Sequence, residues 1–113
     1  MSSEIAVVAL SVDLMDRSKL SAGLPGVRLV RNVAAAVDAA TEGREAGATV
    51  VVIADLARVV DGAELATIAV VADRVIAYGS HVDEQALEAA TANGAEALPR
   101  SRFFRRLAEN ALI

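Results

Sequence analysis

Asp55 closes the run Ala48 to Leu56, ATVVVIADL, and is the residue best placed to do chemistry. Val50, Val51, Val52 and Ile53 precede it without a polar interruption, the pattern of a strand covered by helices on both faces. In open α/β sheets ligands collect outside the carboxyl ends of such strands. Three other apolar runs end in polar residues that would meet Asp55 there: Ile5 to Leu10 leads into Ser11-Val12-Asp13, Arg74 to Tyr78 into Gly79-Ser80-His81, and Glu96 to Pro99 into Arg100-Ser101. Ser11, Ser80 and Arg100 around one crevice would suit a small ligand or an anion. The plainer alternative is a strand-end residue that caps the chain beyond it or forms a structural ion pair with Arg100.

Other chemistries find less support. Ser80, His81 and Asp55 are the residue types of a hydrolytic triad, but adjacent side chains project in different directions and no G-x-S-x-G is present. His81 is the single histidine and cysteine is absent, so no ordinary His/Cys metal site can be assembled and no metal or cofactor is expected. As a lone histidine, His81 suits local hydrogen bonding at a loop start better than a pH switch. Neither G-x-G-x-x-G nor a Walker A sequence occurs, which removes the dinucleotide and P-loop fingerprints. Gly79 and the helix start beyond it would still offer backbone N–H groups to a small anion.

The chain has 113 residues, 55% of them hydrophobic, enough for one domain with a true core and too apolar for disorder. A formal net charge of -4 argues against general nucleic-acid binding. Ile5 to Leu10 follows Glu4 without a basic flank and is too short to span a membrane. A cytoplasmic protein is expected. Charge is uneven, however: Arg100, Arg102, Arg105 and Arg106 hold four of the eleven basic residues, a solvated helix face or a surface for an acidic partner.

The elements that must position these residues alternate. Ile5 to Leu10 reads as a buried strand, and Asp13 to Leu24 as a helix in which Leu14, Leu20 and Leu24 recur before Pro25-Gly26 breaks it. Val27 to Arg31 is a half-exposed strand, followed by a helix from Asn32 to about Ala46 that Gly47 stops. After the central strand, Asp61 can cap a helix over Gly62 to Ala72, Arg74 to Tyr78 is the fourth strand, and Asp83 begins a helix ending at Asn93-Gly94. Glu96 to Pro99 is a short fifth strand, and the last helix is expected from Ser101 to about Leu112. Five β-α units predict an α/β fold in three layers with a parallel sheet. The first and third runs are the most hydrophobic, which favours the flavodoxin-like order 2-1-3-4-5 in a single domain over residues 1–113.

In order and spacing the chain resembles the receiver (CheY-like) domains of bacterial response regulators. The resemblance rests on Asp55 ending VVVIADL, the small-residue end of VIAYGS, and GAEALPRSRFF where receivers commonly read glycine-alanine, a short strand, then lysine-proline-phenylalanine. It implies that Asp55 stands at the phosphoacceptor position. Active receivers also carry an acidic pair after strand one, Thr or Ser after strand four and Lys after strand five. Here Leu10 and Ser11 replace the pair with Asp13 displaced downstream, Gly79 stands where a hydroxyl is expected with Ser80 one residue late, and Ser101 or Arg100 replaces Lys. Without the acidic pair the magnesium cage is poor. The resemblance therefore implies a degenerate, stand-alone receiver that is not phosphorylated and is not an enzyme. The alternatives are a divergent receiver phosphorylated on Asp55 with Asp13 or Asp16 nearby, and the anion or ligand sensor above. An unidentified protein partner is expected. The resemblance also implies a homodimer through the last strand and helix, where Arg102, Phe103, Phe104, Arg105 and Arg106 would meet Asp83, Glu84 or Glu88 of a second copy.

Overall fold

The computed structural model describes residues 4–59 and 61–113; positions 1–3 and 60 of the expected domain lie outside the described residues. The apolar runs form five strands, β1 (Ile5–Leu10), β2 (Arg28–Val30), β3 (Thr49–Asp55), β4 (Arg74–Gly79) and β5 (Glu96–Pro99). Between and after them lie α1 (Leu14–Gly23), α2 (Val33–Glu45), α3 (Gly62–Val71), α4 (Glu84–Ala92) and α5 (Arg100–Ala108), with a 3-10 turn at Leu56–Arg58. Each of the first four helices starts behind an Asp or Asn whose side chain accepts the N–H three residues on: Asp13 from Asp16, Asn32 from Ala35, Asp61 from Glu64 and Asp83 from Ala86. These caps satisfy amide groups that have no partner within the helix. Gly47 (φ 85°) and Gly94 (φ 93°) take the left-handed conformation just beyond α2 and α4, which costs glycine little and lets the chain turn into the next strand.

All neighbouring strands are parallel and the order is β2-β1-β3-β4-β5, as the hydrophobicity of the first and third runs predicts. Because side chains alternate along a strand, the sheet sorts its residues onto two faces. Val8 and Leu10, Val50, Val52 and Ala54, and Val75 and Ala77 face a core with Ala36, Ala40, Leu65 and Ile68 of α2 and α3. Ala9, Val51, Ile53, Ile76 and Tyr78 face the other side, with Leu20 of α1 and Phe103 and Leu107 of α5. The first core contains only aliphatic residues; all three aromatics, Tyr78, Phe103 and Phe104, belong to the second.

Two expectations need correction. The last helix begins one residue earlier than Ser101 and ends at Ala108, where Asn110 (φ 55°) turns the chain and Leu112 returns to the core as part of an irregular tail. In α1, Leu14 is 81% exposed, and the buried residues are Asp16 and Leu20. Those two are four apart and share a face, whereas Leu14 is two positions out of phase with it.

Candidate functional site

Strand alternation decides which side of the sheet the polar residues occupy. Asp55 continues the series Val51, Ile53, and Tyr78 continues Ile76, so both end on the α1 and α5 face, and they are register partners across β3 and β4. Ser11 follows Ala9 onto the same face, its backbone N–H bonded to the Val30 carbonyl at 3.1 Å. The first turn of α1 comes over this edge from one side. The start of α5 comes over it from the other.

The centre of the arrangement is Asp16. It is wholly buried and receives a bidentate grip from Arg100: one terminal nitrogen donates to Oδ2 at 2.7 Å and the other to Oδ1. The Tyr78 hydroxyl donates to Asp16 Oδ2 at 3.1 Å and lies 3.5 Å from Ser11 Oγ. Burial alone would raise the Asp16 carboxyl, but the hydrogen bonds from Arg100 and Tyr78 and the charges of Arg100 and Lys19 outweigh it, and the group is held below its ordinary range. Burial is also the main reason that the Tyr78 phenol is pushed well above its ordinary value, with the carboxylates of Asp55 and Asp16 adding to it. The Arg100 guanidinium lies 4.9 Å from the Phe104 ring centre and 5.8 Å from that of Tyr78, within cation–π range. Tyr78 stacks on Phe103 at 4.5 Å and meets Phe104 edge-on at 5.2 Å.

Asp55 lacks such company. It is 8% exposed, and its Oδ1 accepts the Ala57 N–H at 3.0 Å; among the described residues it forms no ion pair. Burial is the largest influence on its carboxyl and raises it above the ordinary range; the Ala57 N–H opposes this, Asp16 reinforces it, and the charges of Arg100 and Arg58 oppose it. Of the two structural roles expected for Asp55, it takes the cap, at the Leu56–Arg58 turn, and not the pairing with Arg100, which binds Asp16 instead. The reason is reach: Arg100 heads α5, beside the α1 turn that carries Asp16, and the two oxygens of Asp16 are both open to the guanidinium fork.

A cleft of about 720 Å³ opens at this edge, lined by Asp13, Asp16, Asp55, Ser80, His81 and Arg100 among others. Asp13, Ser80 and Arg100 of the expected set are therefore brought to Asp55's cleft. Ser11 is not: it is buried under Tyr78, and its carbonyl accepts from Arg17 at 2.8 Å. Gly79 ends β4 with Leu56 against it, so that a Cβ there would lie 3.1 Å from Leu56 Cδ1. Asp13 caps α1 and directs Oδ1 at the Asp16 N–H, at 2.9 Å. Ser80 Oγ accepts the Val82 N–H at 3.4 Å, and no hydrogen bond links Ser80, His81 and Asp55 among the described residues. The helix after Gly79 starts only at Glu84 and is capped by Asp83, so Gly79 forms no anion-binding helix start.

No protein-family model matches the chain, and no curated protein matches it. Among solved structures, the crystal structure of a CheY-like protein, TadZ, from Pseudomonas aeruginosa PAO1 matches with a TM-score of 0.68 over 96% of this chain and 96% of that one, at 18% sequence identity. The fold is CheY-like.

Among the described residues no three or more His, Cys, Asp or Glu side chains gather where they could hold a metal ion. Asp16 is filled by Arg100 and Tyr78, and Asp13 by its own helix. Asp16 and Tyr78 were both open to sequence reasoning: Asp16 is in phase with Leu20, and Tyr78 with Ile76. The last helix of the CheY-like fold places Phe103 in the core and Phe104 half-buried beside it, while Arg102, Arg105 and Arg106 are exposed. Among the described residues no helix is long and apolar enough to cross a membrane.

Proposed function

We propose that this chain is a receiver-like signalling module of the cytoplasm that works through protein contacts, without phosphorylation of Asp55 and without catalysing a reaction. The observation that carries this reading is the occupation of Asp16. Magnesium requires several oxygen ligands in near-octahedral geometry, and phosphoryl transfer to a carboxylate relies on a cation to offset the developing charge. Leu10 and Ser11 stand where the receiver resemblance places an acidic pair, and of the two carboxylates that follow, Asp13 caps α1 and Asp16 is already neutralised by Arg100. Incubation with a small acyl-phosphate donor and magnesium, followed by intact-mass measurement, tests it: unchanged mass is expected, and a stoichiometric phosphoryl adduct on Asp55 would overturn it.

A divergent, phosphorylated receiver is the second reading. It is favoured by the shared cleft, in which Asp13, Asp16, Ser80 and Arg100 surround Asp55, and the same mass measurement selects it if the adduct forms.

The partner is in part a second copy. On α5, Arg102, Arg105 and Arg106 are exposed and take part in no ion pair among the described residues; Asp83, Glu84 and Glu88 at α4 are exposed and equally unpaired. Opposite charge on neighbouring elements suits a two-fold contact in which each copy's basic helix meets the other's acidic one. Sedimentation equilibrium should return twice 11.7 kDa at low salt and lower values as salt screens the pairs. A monomer mass at every salt concentration would reject the dimer.

A further inference from the structure

Asp55 is buried as a residue, but its two carboxylate oxygens are placed differently. Oδ1 takes the Ala57 N–H; Oδ2 has no hydrogen-bond partner among the described residues, although the residue is 8% exposed and lines the open cleft. Of the two arginines that line this cleft, Arg100 is committed to Asp16, and Arg58 is exposed and forms no ion pair among the described residues. Large apolar side chains stand in water on the segments that carry the cleft's lining: Leu14 at 81% and Met15 at 68% exposure, between the cleft residues Asp13 and Asp16 in the chain, and Val82 at 75%, directly after His81. Leu14 and Met15 belong to the first turn of α1, and Val82 to the connection between β4 and α4.

A recessed carboxylate oxygen whose cleft is carried by segments with exposed apolar side chains is complementary to a lysine side chain, which joins a long hydrocarbon stem to a compact ammonium. An arginine fits less well, because its planar fork favours both carboxylate oxygens at once and Oδ1 is already bonded. An anion would be repelled by Asp55, and a divalent cation lacks a ligand set among the described residues. We propose that this end of the sheet is a docking surface for a partner protein that places a lysine ammonium on Asp55 Oδ2 while its neighbouring apolar side chains cover Leu14, Met15 and Val82. The inference rests on the reading that Asp55 stays unphosphorylated, and it names the kind of partner that reading requires.

The probe is n-hexylammonium, a lysine stem without its backbone, followed by amide and methyl NMR. Saturable shifts are expected at the Ala57 amide and at the Leu14, Met15 and Val82 methyls, in the roughly millimolar range of a single small group. Asp55→Asn should weaken binding by about tenfold or more, as should replacing the probe by n-hexylguanidinium. Leu14→Ser with Met15→Ser, both at exposed positions, should remove the advantage of hexylammonium over methylammonium. Equal responses to hexylammonium and n-hexanol, no shift at Ala57, or undiminished binding to Asp55→Asn would each overturn the proposal. A phosphoryl adduct on Asp55 in the mass experiment would instead overturn the underlying reading, and the two failures are therefore separable.

Discussion

Arg100 binds Asp16 across 84 positions of sequence and ties the first helix to the last. The two partners are unequal: the arginine side chain is 46% exposed and the aspartate 1%. Removing the arginine strands a buried carboxylate, whereas removing the carboxylate releases the arginine to water. Arg100→Ala should therefore cost about 2 kcal/mol, below the usual loss for a wholly buried pair because the guanidinium is half solvated. Asp16→Asn, which keeps an acceptor for Tyr78, should cost about 1 kcal/mol. Urea unfolding checks both, and the double variant should resemble Asp16→Asn alone, since the interaction is lost only once.

Asp16 and Asp55 should make opposite contributions as pH changes. Asp16 has a folded-state value below its ordinary 3.8, so its stabilisation is complete above that value and is lost as pH falls through the lower, folded one. Asp55 has a folded-state value above 3.8, so its contribution favours folding at acid pH and is lost as pH rises through the raised value. Asp55→Asn should thus stabilise the protein at neutral pH and match the wild type in acid below 3.8. Asp16→Asn should destabilise at neutral pH and lose that effect in strong acid. Denaturation curves of both variants across the carboxylate range give the two signs.

Tyr78 is the only tyrosine and the chain has no tryptophan, so its ionisation can be followed without interference. Its phenol is 1% exposed and lies among carboxylates. Tyrosinate absorbance should fail to develop in the folded protein around the ordinary value of 10.0 and should appear only at higher pH or with unfolding. Arg100→Ala, which removes the cation beside the ring and leaves Asp16 charged, should not bring that ionisation back toward the ordinary value.

Gly23 lies at the end of α1 where Leu107 of α5 crosses it. A Cβ there would come within 2.7 Å of Leu107 Cγ and Cδ1. Gly23→Ala should push Leu107 from its place and destabilise by about 1–2 kcal/mol despite the better helix propensity of alanine. Combining it with Leu107→Ala should bring the cost below the sum of the two single changes, as measured by thermal unfolding.

The architecture was legible because its determinants are local. Unbroken β-branched runs, Asp or Asn caps and glycine terminators each act within a few residues, and the relative hydrophobicity of the first and third runs gave the strand order. The site was legible only in position. That Asp55 ends β3 follows from sequence; that Arg100 would choose Asp16 does not, because the choice depends on how α1 and α5 meet over the sheet edge. Periodicity gives Leu14 a place in the helix, and sequence offers Asp16 only as a carboxylate near Asp55, since a charged residue in phase with Leu20 reads as surface until a partner is known. Sequence places Tyr78 in a strand, and its role as the hydroxyl beneath the ion pair follows only from the register that sets it beside Asp55.

The confinement of Tyr78, Phe103 and Phe104 to one side of the sheet makes the molecule optically lopsided. Near-ultraviolet dichroism and intrinsic fluorescence report on the layer of α1 and α5 and are blind to the aliphatic layer of α2 and α3. A partner or variant that loosens only that second layer would leave the aromatic signal intact while amide exchange there accelerates, so an unchanged spectrum is no warrant that the whole domain has kept its packing.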